Sequence, residues 1–354
     1  MNMALITFEN IGICALSAAV PKQIIRNYEY TDVFTSEQVK EVVDKIGIVE
    51  RRFADADTCA SDLCFAAAEK LITDNNIDRS EIDLLVFISQ TPDYRMPATS
   101  IILQERLKLG TSTMAFDITL GCSAFLYGLS VVYGLMQNPG IRKALILDGE
   151  TRSKVYSPKD RRTAFLFGDA GVAALIERNS CFGKNYFSFN SDGSREDLIK
   201  INAGGYRHPS STESLIEKVV DEFGNIRNDE QGYINGGDVF NFVIREIPRD
   251  YKLIFEYSKI EKEQIDFFVF HQANSFINTY LAKKLKIDTE KIPSNMEKFG
   301  NTSSVSVPLT IVSELKHKLD THSTLFLSAF GVGMTWASAI VNFCNCSISD
   351  IVEV

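Results

Sequence analysis

Long apolar runs are missing from this chain of 354 residues. Its most apolar segments are short and broken by polar residues, so no membrane-spanning helix is expected. An excess of positive charge is missing too. The formal net charge is −9, which excludes a general attraction to nucleic acid or to anionic membranes. The opening "MNMALITFENIGICALSAAVPK" lacks a basic n-region and reads as a first strand, "ITFENIGICALS", rather than a signal peptide. There is no Walker phosphate loop and no G-x-S-x-G elbow. The "GVG" at 331–333 has Trp336 where a dinucleotide loop needs its third glycine. Seven cysteines, an odd number at irregular spacing, fit a reducing cytoplasm. Cys344 and Cys346 form a C-x-C with no second His or Cys pair, so no metal site is expected; both read as strand or terminal-loop residues.

What is present is ordinary for a globular protein: 45% apolar and 23% charged residues, enough for one large domain or two smaller ones. Strand-like and helix-like segments alternate, which argues for an α/β architecture. "SDLCFAAAEKLITDNN" (61–76) has helical spacing with Ser61 as N-cap, and "SIILQERLKLG" (100–110) is a helix ending at Gly110. Residues 123–136 form a helix after the strand "MAFDI". Residues 186–236 are polar and Gly-rich and read as a loop-rich insertion. Helical spacing returns at 239–258, with Pro248 as a kink or break.

The order then repeats after about 180 residues. "IDLLVFISQ" (82–90) is matched by "IDFFVFHQA" (265–273), "KALILDGE" by "STLFLSAF", and "GVAALIER" by "WASAIVNF". Two copies of a βαβαβ-type unit are expected, 1–180 and 181–354. Buried parallel strands also resemble one another by chance. Ligands in open α/β sheets sit beyond the carboxyl ends of strands. The first copy puts Cys122 there, and the second puts His271 and Asn301 there.

Cys122 stands in "GCSAFLYGL", between a strand-like run and a helix. A thiol at a helix N-terminus is drawn from a pKa of about 8.5 toward neutrality and becomes a nucleophile. A small buried hydrophobe is the bland reading of the same residue. Of the four histidines only His271 ends a buried strand; His208, His317 and His322 lie in polar segments. Asn274 reads as a helix cap and Asn301, in "GNTSS", as a turn residue.

The segments "GCSAFLYGL", "FGDAG", "HQAN", "GNTSSVSVP" and "AFGVGMTW" resemble, in order and separation, the β-ketoacyl-acyl carrier protein synthase III family. That resemblance spans nearly the whole chain. It implies the thiolase-like fold, two similar halves in five layers (αβαβα), and a homodimer. It implies Cys122 as the nucleophile that takes an acyl group from a thioester, with the backbone N–H groups of Cys122 and Val332 as oxyanion hole. His271 and Asn301 would hydrogen-bond the thioester oxygen as a malonyl unit loses carbon dioxide. The carbanion then attacks the acyl group on Cys122. Asn274, Phe330, Met96 and Lys45 fall at substrate-contacting positions. No cofactor is implied beyond acyl-coenzyme A or acyl-carrier protein thioesters. An acyl carrier protein is the implied partner, and Lys283, Lys284 and Lys286 its docking patch, although these lysines also read as a solvated helix face.

Several positions depart from the family. Glu41 stands where an adenine-stacking Trp is usual, Lys45 replaces an Arg, and Phe276 stands where an Arg often meets the carrier protein. Met96 replaces a Phe that reaches in from the partner subunit, and Val332 replaces a Gly. These departures suggest a primer other than acetyl, longer or branched, and a specialised acyl product. Two alternatives stand beside it: an acyltransferase that passes the acyl group from Cys122 to another nucleophile, and a partner subunit without activity. Such subunits typically lack the nucleophile, and Cys122 is present.

Overall fold

The computed structural model describes residues 4–354. Its core is two sheets with two apolar helices between them. One sheet has seven strands. Strand β3 (Ile82–Ile88) runs parallel to β4 (Met114–Ile118) and β5 (Lys143–Glu150). Antiparallel β6 (Ala170–Arg178) and β2 (Ile11–Val20) follow, and β11 (Ser347–Ile348) and β12 (Val352–Glu353) lie on β2. The other sheet has five strands, in the order β1 (Ala4–Glu9), β7 (Lys184–Ser191), β10 (Thr335–Cys344), β9 (His322–Gly331) and β8 (Phe267–Phe270).

The expected repeat is visible in the pairing. In the first sheet β3, β5, β6 and β2 pair parallel, antiparallel, antiparallel. In the second, β8, β9, β10 and β7 do the same. Side chains alternate between two cores, as the two-residue period of a strand requires. Leu84, Val86 and Ile88 of β3 face the central core, and Leu85 and Phe87 face the outer one. Helices α4 (Ala124–Leu135) and α8 (Ser306–Leu315) fill the centre. Both are apolar nearly all round, as helices enclosed on every side must be. Helix α2 (Ala60–Asp74), with α3 (Thr99–Arg106), covers the outer face of the seven-stranded sheet, and α5 (Gly236–Ser258) and α6 (Ser275–Leu285) that of the other. Five layers result.

The termini cross between the halves. The opening segment is two strands, because Asn10 takes a left-handed φ of 60° and turns the chain from one sheet to the other. Strand β1 therefore lies in the C-terminal half's sheet, and β11 and β12 lie in the N-terminal half's sheet.

Local expectations need four corrections. Helix α2 starts at Ala60, where Cys59 N–H donates to Asp62 Oδ2 at 2.8 Å; Ser61 instead donates to Asp93. Helix α3 ends at Arg106, before Gly110, because Lys108 adopts a left-handed φ of 52°. Helix α5 runs unbroken through Pro248. The stretch 186–236 begins as core strand β7; only the residues after it form irregular structure, with short pairs 199–200/233–234 and 218–219/226–227. The cysteines also differ from the expected set of free thiols. Cys181 and Cys344 form a disulfide, and five are free. Pairing of β10 with β7 brings the turn before β7 against the end of β10, where Asn342 Nδ2 donates to the Phe182 carbonyl at 2.9 Å.

Candidate active site

A cavity of about 780 Å³ opens between the halves at the carboxyl ends of β5, β8 and β9. Its wall brings together Cys122, His271, Asn301, Val332, Phe330, Asn274 and Lys45. Within its own chain Met96 lies outside that wall and is 76% exposed. Lys283, Lys284 and Lys286 are exposed at the far end of α6, whose first turn lines the cavity. An eleven-residue helix spans about 16 Å, so the lysines stand beside the mouth rather than in it.

Cys122 occupies the tight turn just before α4, closed by Ala124 N–H donating to the Gly121 carbonyl at 2.8 Å. The thiol is buried against Gly331, where a Cβ would fall 2.7 Å from both Cβ and Sγ of Cys122. The Val332 side chain is accommodated by Gly121, where a Cβ would meet Val332 Cβ at 2.8 Å. That complementarity explains how this chain carries valine at position 332. Burial pushes the Cys122 thiol up. The Arg152 charge, the Ser303 hydroxyl at 3.7 Å and the Val332 N–H pull it back. The lowering expected from the helix terminus is thus outweighed by desolvation.

Asn301 is held by its backbone from both sides. Its N–H donates to the Leu166 carbonyl at 2.9 Å, and its carbonyl accepts from Gly168 N–H at 3.2 Å. This is where "FGDAG" of one half meets "GNTSS" of the other. Gly168 permits the approach, since a Cβ there would sit 2.3 Å from the Phe299 carbonyl oxygen. Asn301 Oδ1 accepts from Ser303 N–H at 2.9 Å, which leaves the amide Nδ2 as a donor. Ser303 itself has a left-handed φ of 57°, a conformation uncommon for a side-chain-bearing residue and frequent at functional sites.

His271 follows β8 and is buried. Its Nδ1 lies 2.6 Å from Ser306 Oγ, at the start of α8. Burial pushes its pKa down to about 3; a backbone hydrogen bond at Ser303 opposes that and the Arg152 charge adds to it. The ring is therefore a neutral hydrogen-bonding group at ordinary pH. Phe330 stands edge-on to it, with ring centroids 5.3 Å apart. Asn274 caps α6, its Oδ1 accepting from Ile277 N–H at 2.9 Å, and also lines the cavity. The cap reading of Asn274 holds, and the same residue faces the cavity wall.

Sequence reading missed Arg152, Glu150, Tyr156 and Ser303. The first three sit in a segment, "GETRSKVY", whose charges look like surface residues. Arg152 and Glu150 are buried, and Arg152 and Tyr156 line the cavity. Only the folded chain shows that. It also shows the insertion reaching the site. Gly232 packs on the ring of Tyr156, and Ile199, Tyr233 and Ile234 line the wall. A smaller hollow of about 280 Å³ adjoins the mouth, where Glu41, Lys45, Arg161 and Arg162 meet Phe223 of the insertion. Among the described residues no group of three His, Cys, Asp or Glu side chains is placed to hold a metal ion, and no helix is long and apolar enough to cross a membrane.

A cysteine before a buried helix, with histidine and asparagine from the second half, in a duplicated five-layer α/β fold, defines a condensing enzyme of the thiolase-like class. The profile "3-Oxoacyl-[acyl-carrier-protein (ACP)] synthase III" matches residues 116–193, and its C-terminal counterpart residues 255–343. A putative 3-oxoacyl-[acyl-carrier-protein] synthase 3 of Campylobacter jejuni is 35% identical over 344 residues, 95% of each chain. A β-ketoacyl-[acyl-carrier-protein] synthase III of Caldanaerobacter subterraneus is 32% identical over 335 residues, 94% of this chain and 97% of that one. The crystal structure of a 3-oxoacyl-(acyl-carrier protein) synthase from Burkholderia xenovorans superimposes with a TM-score of 0.93 at 35% identity, covering 99% of both chains. The chain belongs to the 3-oxoacyl-[acyl-carrier-protein] synthase III family.

Proposed function

We propose that the protein catalyses decarboxylative condensation of an acyl thioester with a malonyl thioester carried by an acyl carrier protein. The observation that carries this reading is the convergence of Cys122, Val332 N–H, His271 and Asn301 on one cavity. The Cys122 sulfur attacks the primer carbonyl, and the N–H groups of Cys122 and Val332 stabilise the oxyanion. The donor thiol leaves. A malonyl thioester then enters. His271 and Asn301 donate to its thioester oxygen while the carboxylate leaves as carbon dioxide, and the enolate carbon attacks the acyl-Cys122 carbonyl. Neutral donors suit this step: they stabilise the enolate and leave it nucleophilic.

The reaction calls for no cofactor beyond the two thioesters. Two further parts of the reading concern surfaces. The exposed lysines at 283, 284 and 286 offer a positive face to an acidic carrier protein. A homodimer would bring Met96 of one subunit to the acyl pocket of the other. The test is intact-protein mass spectrometry. Cys122 gains one acyl mass from a primer thioester, Cys122→Ala gains none, and malonyl-carrier protein discharges the acyl group as a β-ketoacyl product. Discharge only by an amine or hydroxyl acceptor, without loss of carbon dioxide, overturns the condensation.

A further inference from the structure

A buried charge on the cavity wall shared with Cys122 belongs to a group that the condensation does not use. Arg152 follows the buried end of β5 and lines the cavity wall with Cys122. It is 3% exposed. Its Nη2 donates to Gln90 Oε1 at 3.0 Å. Its Nε lies 4.0 Å from Glu150 Oε2 and has no hydrogen-bond partner among the described residues. Glu150 is engaged elsewhere, accepting from Gln90 N–H and from Thr91 Oγ1, each at 3.0 Å. A guanidinium presents five N–H groups, so most of this one's hydrogen-bonding capacity is unused. The charge of Asp169 also reaches it, and two aromatic rings stand beside it. Tyr156 and Phe167 stack at 4.1 Å, and the guanidinium carbon stands 5.8 and 5.9 Å from their ring centres.

A buried donor without a partner is unfavourable, more so when it is charged. Arg152 lines the same cavity as Cys122, and a wall that carries a cation is poorly matched to a plain alkyl chain. A site whose buried polar groups need a ligand partner discriminates strongly against an analogue lacking it. The planar fork of arginine matches a carboxylate with two parallel hydrogen bonds.

We propose that Arg152 selects acyl primers whose far end carries a carboxylate, holding that group while the primer is attached to Cys122. The inference rests on Cys122 being the acyl acceptor. In the loading step a bond forms between Cys122 sulfur and the primer carbonyl carbon. The carbon–sulfur bond to the donor breaks, and the donor thiolate leaves and takes up the proton given by Cys122. The distal carboxylate does not react. The malonyl unit also has a carboxylate. Pairing it with arginine would stabilise the ground state that decarboxylation must leave, so the primer is the better match.

The test compares loading of Cys122 by succinyl- and glutaryl-coenzyme A with butyryl- and pentanoyl-coenzyme A, which match them in chain length. Mass spectrometry follows each in the native protein and in Arg152→Leu. The native protein is expected to load the dicarboxylic primers at least about ten-fold faster, and Arg152→Leu to reverse that ratio. A native preference for the alkyl primers overturns the proposal without any variant, and leaves Cys122 as acceptor intact. If Arg152→Leu slows all four donors by one factor and moves Cys122 alkylation by iodoacetamide to higher pH, Arg152 acts only on the thiol and the proposal fails. If primer preference is unchanged and only malonyl-carrier protein decarboxylation falls, the carboxylate it holds is the malonyl one. Absence of loading by any donor in the native protein overturns the nucleophile reading as well. Should Arg152→Leu fail to fold, Glu150→Gln combined with Arg152→Leu removes both buried charges together.

Discussion

A methyl group on Gly331 would fall 2.7 Å from both Cβ and Sγ of Cys122. The backbone there is extended, so the need for glycine is steric and local. Gly331→Ala is expected to slow acyl loading by on the order of 100-fold, as a displacement of about 1 Å does at a reacting centre, while circular dichroism stays native. His271 gives a prediction in pH. Its folded pKa of about 3 lies below the ordinary value of 6.5. Between those values the unfolded chain binds a proton and the fold does not. This contribution to stability is therefore fully present above pH 6.5 and is lost as pH falls toward 3. At the reaction, malonyl decarboxylation by acyl-loaded enzyme should show no inflection near pH 6.5. An imidazole that titrates near 6.5 in NMR would contradict the buried neutral ring. Replacing a donor directly, as in Asn301→Ala, should slow decarboxylation by about 100- to 1,000-fold and leave loading of Cys122 nearly unchanged.

The insertion after β7 is an element fastened by charge. Arg227 pairs with buried Asp160 at 2.9 Å, Arg162 with Asp221 at 2.9 Å and Lys159 with Glu217 at 2.6 Å. Asn225 Oδ1 accepts from Arg161 N–H at 2.9 Å. These contacts draw residues 217–227 onto the loop 157–162 beside the cavity mouth. The exposed pairs contribute little singly. The Asp160–Arg227 pair differs, because removal of the arginine leaves a carboxylate nearly excluded from water. Arg227→Ala is expected to raise hydrogen exchange across 217–227 and to increase the KM for thioester donors, with Cys122 alkylation unaffected. Unchanged exchange in that segment would show the hairpin to be held by packing instead.

At the scale of the whole molecule, the two halves are bound by more than their interface. Strand β1 completes the C-terminal half's sheet, β11 and β12 edge the N-terminal half's, and α4 and α8 share one central core. The cavity takes Cys122 from one half and His271 and Asn301 from the other, so neither half is expected to retain activity alone. Met96 and Tyr94, 76% and 62% exposed, form an apolar projection on the N-terminal half. A homodimer that covers it should sediment at about twice the 39.6 kDa chain mass. Met96→Glu should shift that equilibrium toward monomer, and sedimentation as a monomer by the native protein would remove Met96 from the acyl pocket.

Much of this was legible in the chain. The unbroken apolar runs of β3 and β5, the largely apolar α4 and α8, and the repeat of strand types follow from local pattern, because each strand must serve two cores and each central helix is enclosed. Cys122, His271 and Asn301 were legible by their places at the ends of such elements. Tertiary structure alone decided the rest. Asn10 sends the first strand to the other sheet, and Cys181 meets Cys344 because β10 pairs with β7. The thiol is raised, since desolvation depends on what surrounds it. Arg152 looks like a surface charge in "GETRSKVY" and becomes a buried cation on the cavity wall shared with Cys122. Burial is a property of the packed molecule, and no spacing within one segment records it.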